Sequence, residues 1–317
     1  MTKTIAVALI LTAAFAGCPS NRQAQKTLQG TSHQLDVPPP MRDPAPPANA
    51  IITRLRGPES VLHDAEQDVY FISNLNGGLQ TVDDNGFITR VNAKTLFVEL
   101  KWIEAGLDAP KGMAIAGDTL YVSDILGVRM FDRRTGRPLG EVKLPGATLI
   151  NDIVSDGKSV YVSDTGLRVA EGHTFARTGT DAIWKITGSR AEKIASGAEL
   201  QHPNGLEFVD GRVWAVTFGP REIYSLDVAR ASARGGRPRT VAKLPRGQLD
   251  GLVRLADGSV VVSSWLGEGV YRGTPGAAFE PILTGIDAPA DLGYDTKRHR
   301  LLVPIPGANQ VTIHALR

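Results

Sequence analysis

Pro58-Glu59-Ser60-Val61, Pro110-Lys111-Gly112-Met113, Ile150-Asn151-Asp152-Ile153, Pro203-Asn204-Gly205-Leu206, Leu249-Asp250-Gly251-Leu252 and Pro289-Ala290-Asp291-Leu292 are six versions of one pattern. Each opens on proline or an aliphatic residue, passes through one variable position and then Gly, Asp or Ser, and ends on an apolar residue. The variable positions are Glu59, Lys111, Asn151, Asn204, Asp250 and Ala290, separated by steps of 52, 40, 53, 46 and 40 residues. Steps of that size match the period of a β-propeller blade. Equivalent positions of successive blades converge on the ring axis. Five of the six are polar or charged within apolar surroundings, so they predict one shared site.

The sequence between these segments reads as strands and turns. A second apolar strand follows each segment, as at Val69-Tyr70-Phe71-Ile72, Val160-Tyr161-Val162 and Val260-Val261-Val262. Third strands follow in all six units and fourth strands in five. Asn85-Gly86, Asp156-Gly157, Asp210-Gly211 and Asp257-Gly258 stand where hairpins call for positive φ. The sixth unit ends at Arg317 one strand short, and Ile51-Ile52-Thr53-Arg54-Leu55 supplies the missing one from the other end. Such closure removes an open sheet edge. The expected fold is all-β: a six-bladed β-propeller over 51–317 whose N-terminal strand closes the last blade. A pair of β-sandwiches, the alternative, leaves the period unexplained.

Of the 317 residues 42% are hydrophobic, with 34 Gly, 20 Pro and a formal net charge of +2. That composition supports a large core and, without a Lys/Arg run, excludes nucleic acid as an expected partner. Residues 1–18 read as a targeting signal: Lys3, then an apolar run from Ile5 to Phe15, then Ala16-Gly17-Cys18. Cys18 is the single cysteine. Phe15-Ala16-Gly17-Cys18 resembles a bacterial lipobox, which implies lipidation of Cys18. The expected location is the cell envelope, lipid-anchored and by resemblance at the outer membrane, with a periplasmic or secreted protein as the alternative. Residues 19–50, rich in Gln, Ser, Asn and Pro, read as a disordered tether.

Glu59, Asn151, Asn204 and Asp250 bring two carboxylates and two amide oxygens to the axis. Oxygen donors of this kind suit hard cations. The segments that carry these residues resemble the signature segments of the gluconolactonase/regucalcin (senescence marker protein) family over the whole of 51–317. The resemblance implies a six-bladed propeller with a divalent cation on its axis, Ca²⁺ first and Mg²⁺, Mn²⁺ or Zn²⁺ behind it. It further implies Glu59, Asn204 and Asp250 as metal ligands, Asp250 also as general base, and Asn151 against substrate. The implied reaction is hydrolysis of a lactone or related ester, with carbonyl polarisation and proton removal as its elements.

Three positions depart from that pattern. Lys111 enters the ring, either beside the substrate or as an internal replacement for the cation. Leu149 stands where sugar-lactonase members tend to carry Arg. Ala290 leaves one side of the ring without a polar group. A catalytically silent propeller that binds a small ligand or a protein at the envelope therefore stands as the alternative. His202 is a candidate substrate contact beside the Pro203-Asn204 turn, the alternative being a solvated or capping residue. Thr165–Asp181 is the longest insertion, a candidate lid carrying Glu171, His173 and Arg177. Asp124 and Asp164 read as turn caps, and Trp184, Trp214 and Trp265 as packing residues.

Overall fold

The computed structural model describes residues 49–171, 174–229 and 237–316. The segments read as a signal and a tether, with Cys18, lie outside these up to residue 48, as do His173 and most of the basic stretch from Arg230 to Arg239. Six four-stranded antiparallel sheets follow one another along the chain. Their first strands are Pro58–Asp64, Met113–Ala116, Ile150–Ser155, Pro203–Val209, Leu249–Arg254 and Gly293–Asp295. The fold is the expected six-bladed propeller. No described helix is long and apolar enough to cross a membrane.

The ring closes as its strand count requires, though on a shorter strand than the sequence suggests. Ala50–Ile52 pairs with Gln310–Ala315, Ala50 opposite Ile313 and Ile52 opposite Val311. Alternation buries Ile52 and leaves Ile51 exposed. The last blade is then tied to the first by polar contacts. Arg298 makes a bidentate ion pair with Asp68 at 2.8 and 2.6 Å, and the Tyr70 hydroxyl donates to Asp295 at 2.6 Å.

Between adjacent blades lie six apolar cores, each drawing on two neighbours. Phe71 and Ile88 of blade one, for example, pack on Met113, Leu120 and Val122 of blade two. Each fully buried Leu, Ile, Val or Phe contributes roughly 1.5–3 kcal/mol, so the ring is held by its interblade seams. A seventh apolar cluster, Leu149, Leu167 and Phe218 with Phe175 and Trp265 against it, draws instead on loops and strand ends.

Of the four predicted glycine turns, Gly157, Gly211 and Gly258 adopt positive φ. Gly86 does not, and its requirement is space. A Cβ there would stand 2.7 Å from the Asp108 carbonyl oxygen.

Candidate functional site

In four blades the ladder between first and second strands slips, between Pro58 and Val61, Ile150 and Ile153, Pro203 and Leu206, and Leu249 and Leu252. Each slip contains the variable position and the residue after it. A bulge takes both out of the ladder and re-aims the first side chain. Second-strand serines stand in for the lost ladder partners: Ser60 N donates to Ser73 Oγ at 2.9 Å, Asp152 N to Ser163 Oγ at 2.9 Å, and Gly251 N to Ser263 Oγ at 2.7 Å. Ser163 Oγ and Ser263 Oγ also donate to the next blade, to the Asn204 and Ala290 carbonyls at 2.9 Å each, and Ser123 Oγ donates to the Asn151 carbonyl. These serines frame the site, a role that sequence reasoning missed. Asp124 and Asp164 cap the incoming loops as expected, Asp124 accepting from Asp108 N and Ala109 N and Asp164 from Leu149 N. Gly205 is needed because inner strands touch here. A Cβ on it would lie 2.1 Å from the Asp250 carbonyl oxygen.

The bulges bring Glu59, Asn151, Asn204 and Asp250, together with Lys111, to the lining of one cavity. Ala290 is buried and offers no polar side-chain atom. Glu59 is 6% exposed, and its Oε2 has no hydrogen-bond partner. Burial pushes its carboxyl well above the usual range; the nearby Asp250 and Asp291 push the same way, and Lys111 opposes them. Asp250 is pushed up to about 7, first by burial and then by Asp291, against hydrogen bonds from Trp265 and Asn204. The Trp265 Nε1 bond to Asp250 Oδ2 measures 2.7 Å. Asn151 Nδ2 donates to Thr165 Oγ1 at 3.2 Å and Asn204 Nδ2 to the Leu249 carbonyl at 3.3 Å, so both amides turn N–H groups to the framework.

Lys111 is buried, and its amine donates to the Ala109 carbonyl at 2.9 Å rather than to a carboxylate. Burial holds its pKa down against the pull of Glu59 and Asp124. Among the described residues no three His, Cys, Asp or Glu side chains gather as a metal cluster. A cation at this point therefore needs the amide oxygens beside the two carboxylates. That donor set is all oxygen, and the orphaned Glu59 Oε2 is the atom a hard cation would satisfy, so the residues fit one.

Above this polar floor the walls are apolar: Leu79, Leu149, Leu167, Phe175, Phe218 and Trp265, with Thr165 between them. The insertion folds as a hairpin, Leu167–Ala170 against Thr174–Arg177, and places Leu167 and Phe175 in the wall. Gln80 of blade one bridges to it, donating to the Thr148 carbonyl at 2.6 Å and accepting from Val169 N at 2.7 Å. Trp265 lines the cavity and bonds Asp250, so it is more than the packing residue its sequence context suggests. His202, a candidate contact by sequence, does not line the cavity. Its Nδ1 faces the Thr165 carbonyl at 2.9 Å and Asp181 Oδ1 at 3.1 Å, so it pins the base of the insertion.

Solved structures share this architecture. A gluconolactonase from Xanthomonas campestris superposes with a TM-score of 0.62 at 18% identity, covering 86% of this chain and 98% of that one. A structural-genomics target described as a candidate gluconolactonase gives 0.64 at 15% identity, covering 86% and 93%. The β-propeller domain of Cps50 (Swd1) from Myceliophteria thermophila gives 0.58 at 12% identity, covering 86% and 99%. At such identities the likeness is one of fold. No family model and no curated protein matches the chain.

Proposed function

We propose that the chain is a hydrolase of lactones or related esters, working around a divalent cation at the channel mouth. The observation that carries this reading is Glu59 Oε2, a buried carboxylate oxygen without a partner beside Asn151, Asn204 and Asp250. A likeness of fold to two structures described as gluconolactonases agrees with it. Glu59, Asn204 and Asp250 would hold the cation, with Ca²⁺ as the first choice.

A bound cation would polarise the ester carbonyl and stabilise the charge that develops on its oxygen. Asp250 takes the proton from the attacking water. The Trp265 N–H fixes one of its oxygens, and a bound cation would keep the carboxylate ionised, as a general base requires. Asn151, held by Thr165, orients the substrate. Lys111 favours a second reading, a catalytically silent ligand- or protein-binding propeller, because its buried amine lines the same cavity as Glu59 and Asp250.

Hydrolysis of a lactone panel by the purified chain, with and without chelator, tests the proposal. Activity that chelator abolishes and added cation restores supports it; no turnover under either condition leaves the silent reading. In the same proposal Cys18 carries the lipid that holds the head at the envelope. Cys18→Ser is expected to move the protein out of the membrane fraction, and retention there would overturn the anchor.

A further inference from the structure

We propose, building on the hydrolase reading, that the mouth selects an apolar substrate. The favoured lactone or ester carries an aliphatic or aromatic group, which packs on Leu149, Phe175, Phe218 and Trp265.

The argument is one of unmatched hydrogen bonds. A polyhydroxylated substrate needs a donor or acceptor for each hydroxyl that it buries. Above the floor the described lining residues offer almost none. The Thr165 hydroxyl already donates to the Pro203 carbonyl at 2.9 Å and accepts from Asn151. The Trp265 N–H is committed to Asp250, and Lys111, the one cation among the lining residues, is bound to Ala109 at the floor.

The wall is also held together by contacts within the protein. Phe175 meets Phe218 edge-on at 5.4 Å between ring centroids, and Phe218 meets Trp265 edge-on at 5.1 Å. This row of rings runs from the insertion hairpin to the side chain that holds Asp250. The hairpin is fixed by Gln80, by His202 at its base, and by the Thr148, Thr178 and Thr180 hydroxyls, which lie 2.7–3.1 Å apart. A preformed aromatic wall gains affinity for apolar groups because little ordering remains to be done on binding. Val82, Leu126 and Leu266, all more than half exposed, lie in loops joining second to third strands, as the hairpin, Leu79 and Trp265 do.

Three δ-lactones sharing one ring test the assignment on the cation-supplemented full chain: δ-octalactone with a propyl arm, unsubstituted δ-valerolactone, and glucono-1,5-lactone with hydroxyls. The expected order of kcat/KM is octalactone, valerolactone, gluconolactone, with at least a tenfold span. Phe175→Ala is expected to lower the octalactone value about tenfold, mainly through KM, and the valerolactone value by less. Gluconolactone turned over as well as octalactone overturns the apolar assignment and leaves the hydrolase reading standing. If no lactone is turned over, the hydrolase reading falls and quenching of tryptophan fluorescence decides the pocket's preference. Saturable quenching by octalactone that weakens in Phe175→Ala supports the apolar mouth, and equal or stronger quenching by gluconolactone overturns it.

Discussion

Two tiers of buried carboxylates lie one residue apart along the inner strands, and the protein treats them oppositely. In the upper tier Glu59 and Asp250 face the cavity, and Glu59 Oε2 accepts nothing. In the lower tier, Asp152 accepts from its own Ile153 N at 2.6 Å and from Leu206 N of the next blade at 2.5 Å. Asp291 accepts from Ser60 Oγ at 2.5 Å, joining the last blade to the first. Burial raises the pKa in both tiers, well up for Asp152 and to about 7 for Asp291 and Asp250. A displaced pKa therefore does not separate a working carboxylate from a structural one. The hydrogen-bond inventory separates them better: Asp152 and Asp291 accept from neighbouring blades, whereas Glu59 Oε2 in the upper tier accepts from no protein group.

Neutralising each tier in turn is the sharpest way to break this comparison. Asp250→Asn is expected to lower kcat/KM by roughly 10²–10⁴ while the melting temperature stays near that of the wild type. Asp152→Ala is expected to act on stability instead. It strands two buried N–H donors at about 1–3 kcal/mol each, and denaturant titration should register the loss. If Asp152→Ala is as stable as wild type, the structural role of the lower tier is wrong.

A smaller effect is expected where the tiers touch. Gly205→Ala pushes a methyl into the Asp250 carbonyl, and overpacking of this kind costs about 1–3 kcal/mol. Both stability and turnover should fall, because the displaced backbone carries the Asp250 side chain.

The pH dependence separates the tiers less but has a definite sign. Folded Asp250 and Asp291, pushed up to about 7 by burial, keep protons well above the value of about 3.9 at which a free Asp loses its own. Between those pH values the folded state binds more protons than the unfolded state, so the metal-free protein loses stability as pH rises through the window. Chelator-treated protein should melt at a lower temperature at pH 8 than at pH 5, and Asp250→Asn should reduce that difference. A melting temperature that climbs over the same range would contradict the assignment.

Much of the upper tier is legible in the sequence, because the ring repeats it: a fixed period marks Glu59, Asn151, Asn204 and Asp250 before any coordinates. The missing sixth-blade strand is legible for the same reason, since strands can be counted. The apolar wall is not. Leu79, Phe175, Phe218 and Trp265 sit in second-to-third-strand loops or at their edges, and those loops differ in length from blade to blade, so no period aligns them. His202 misled because its neighbour in sequence, Pro203, starts an inner strand, while its own ring turns to a loop that arrives from blade three. Ser73, Ser163 and Ser263 were visible, yet their role depends on bulges that only strand pairing reveals.

Calorimetric titration of the chelator-treated chain with Ca²⁺, Mg²⁺, Mn²⁺ and Zn²⁺ at pH 8, beside Glu59→Gln, tests the upper tier most directly. The account predicts one cation bound per chain, Ca²⁺ first, with affinity weakened roughly a hundredfold or more by Glu59→Gln. Wild-type chain that binds none of the four, or binds them as well once Glu59 is Gln, would contradict it and leave Lys111 as the charge that completes the ring.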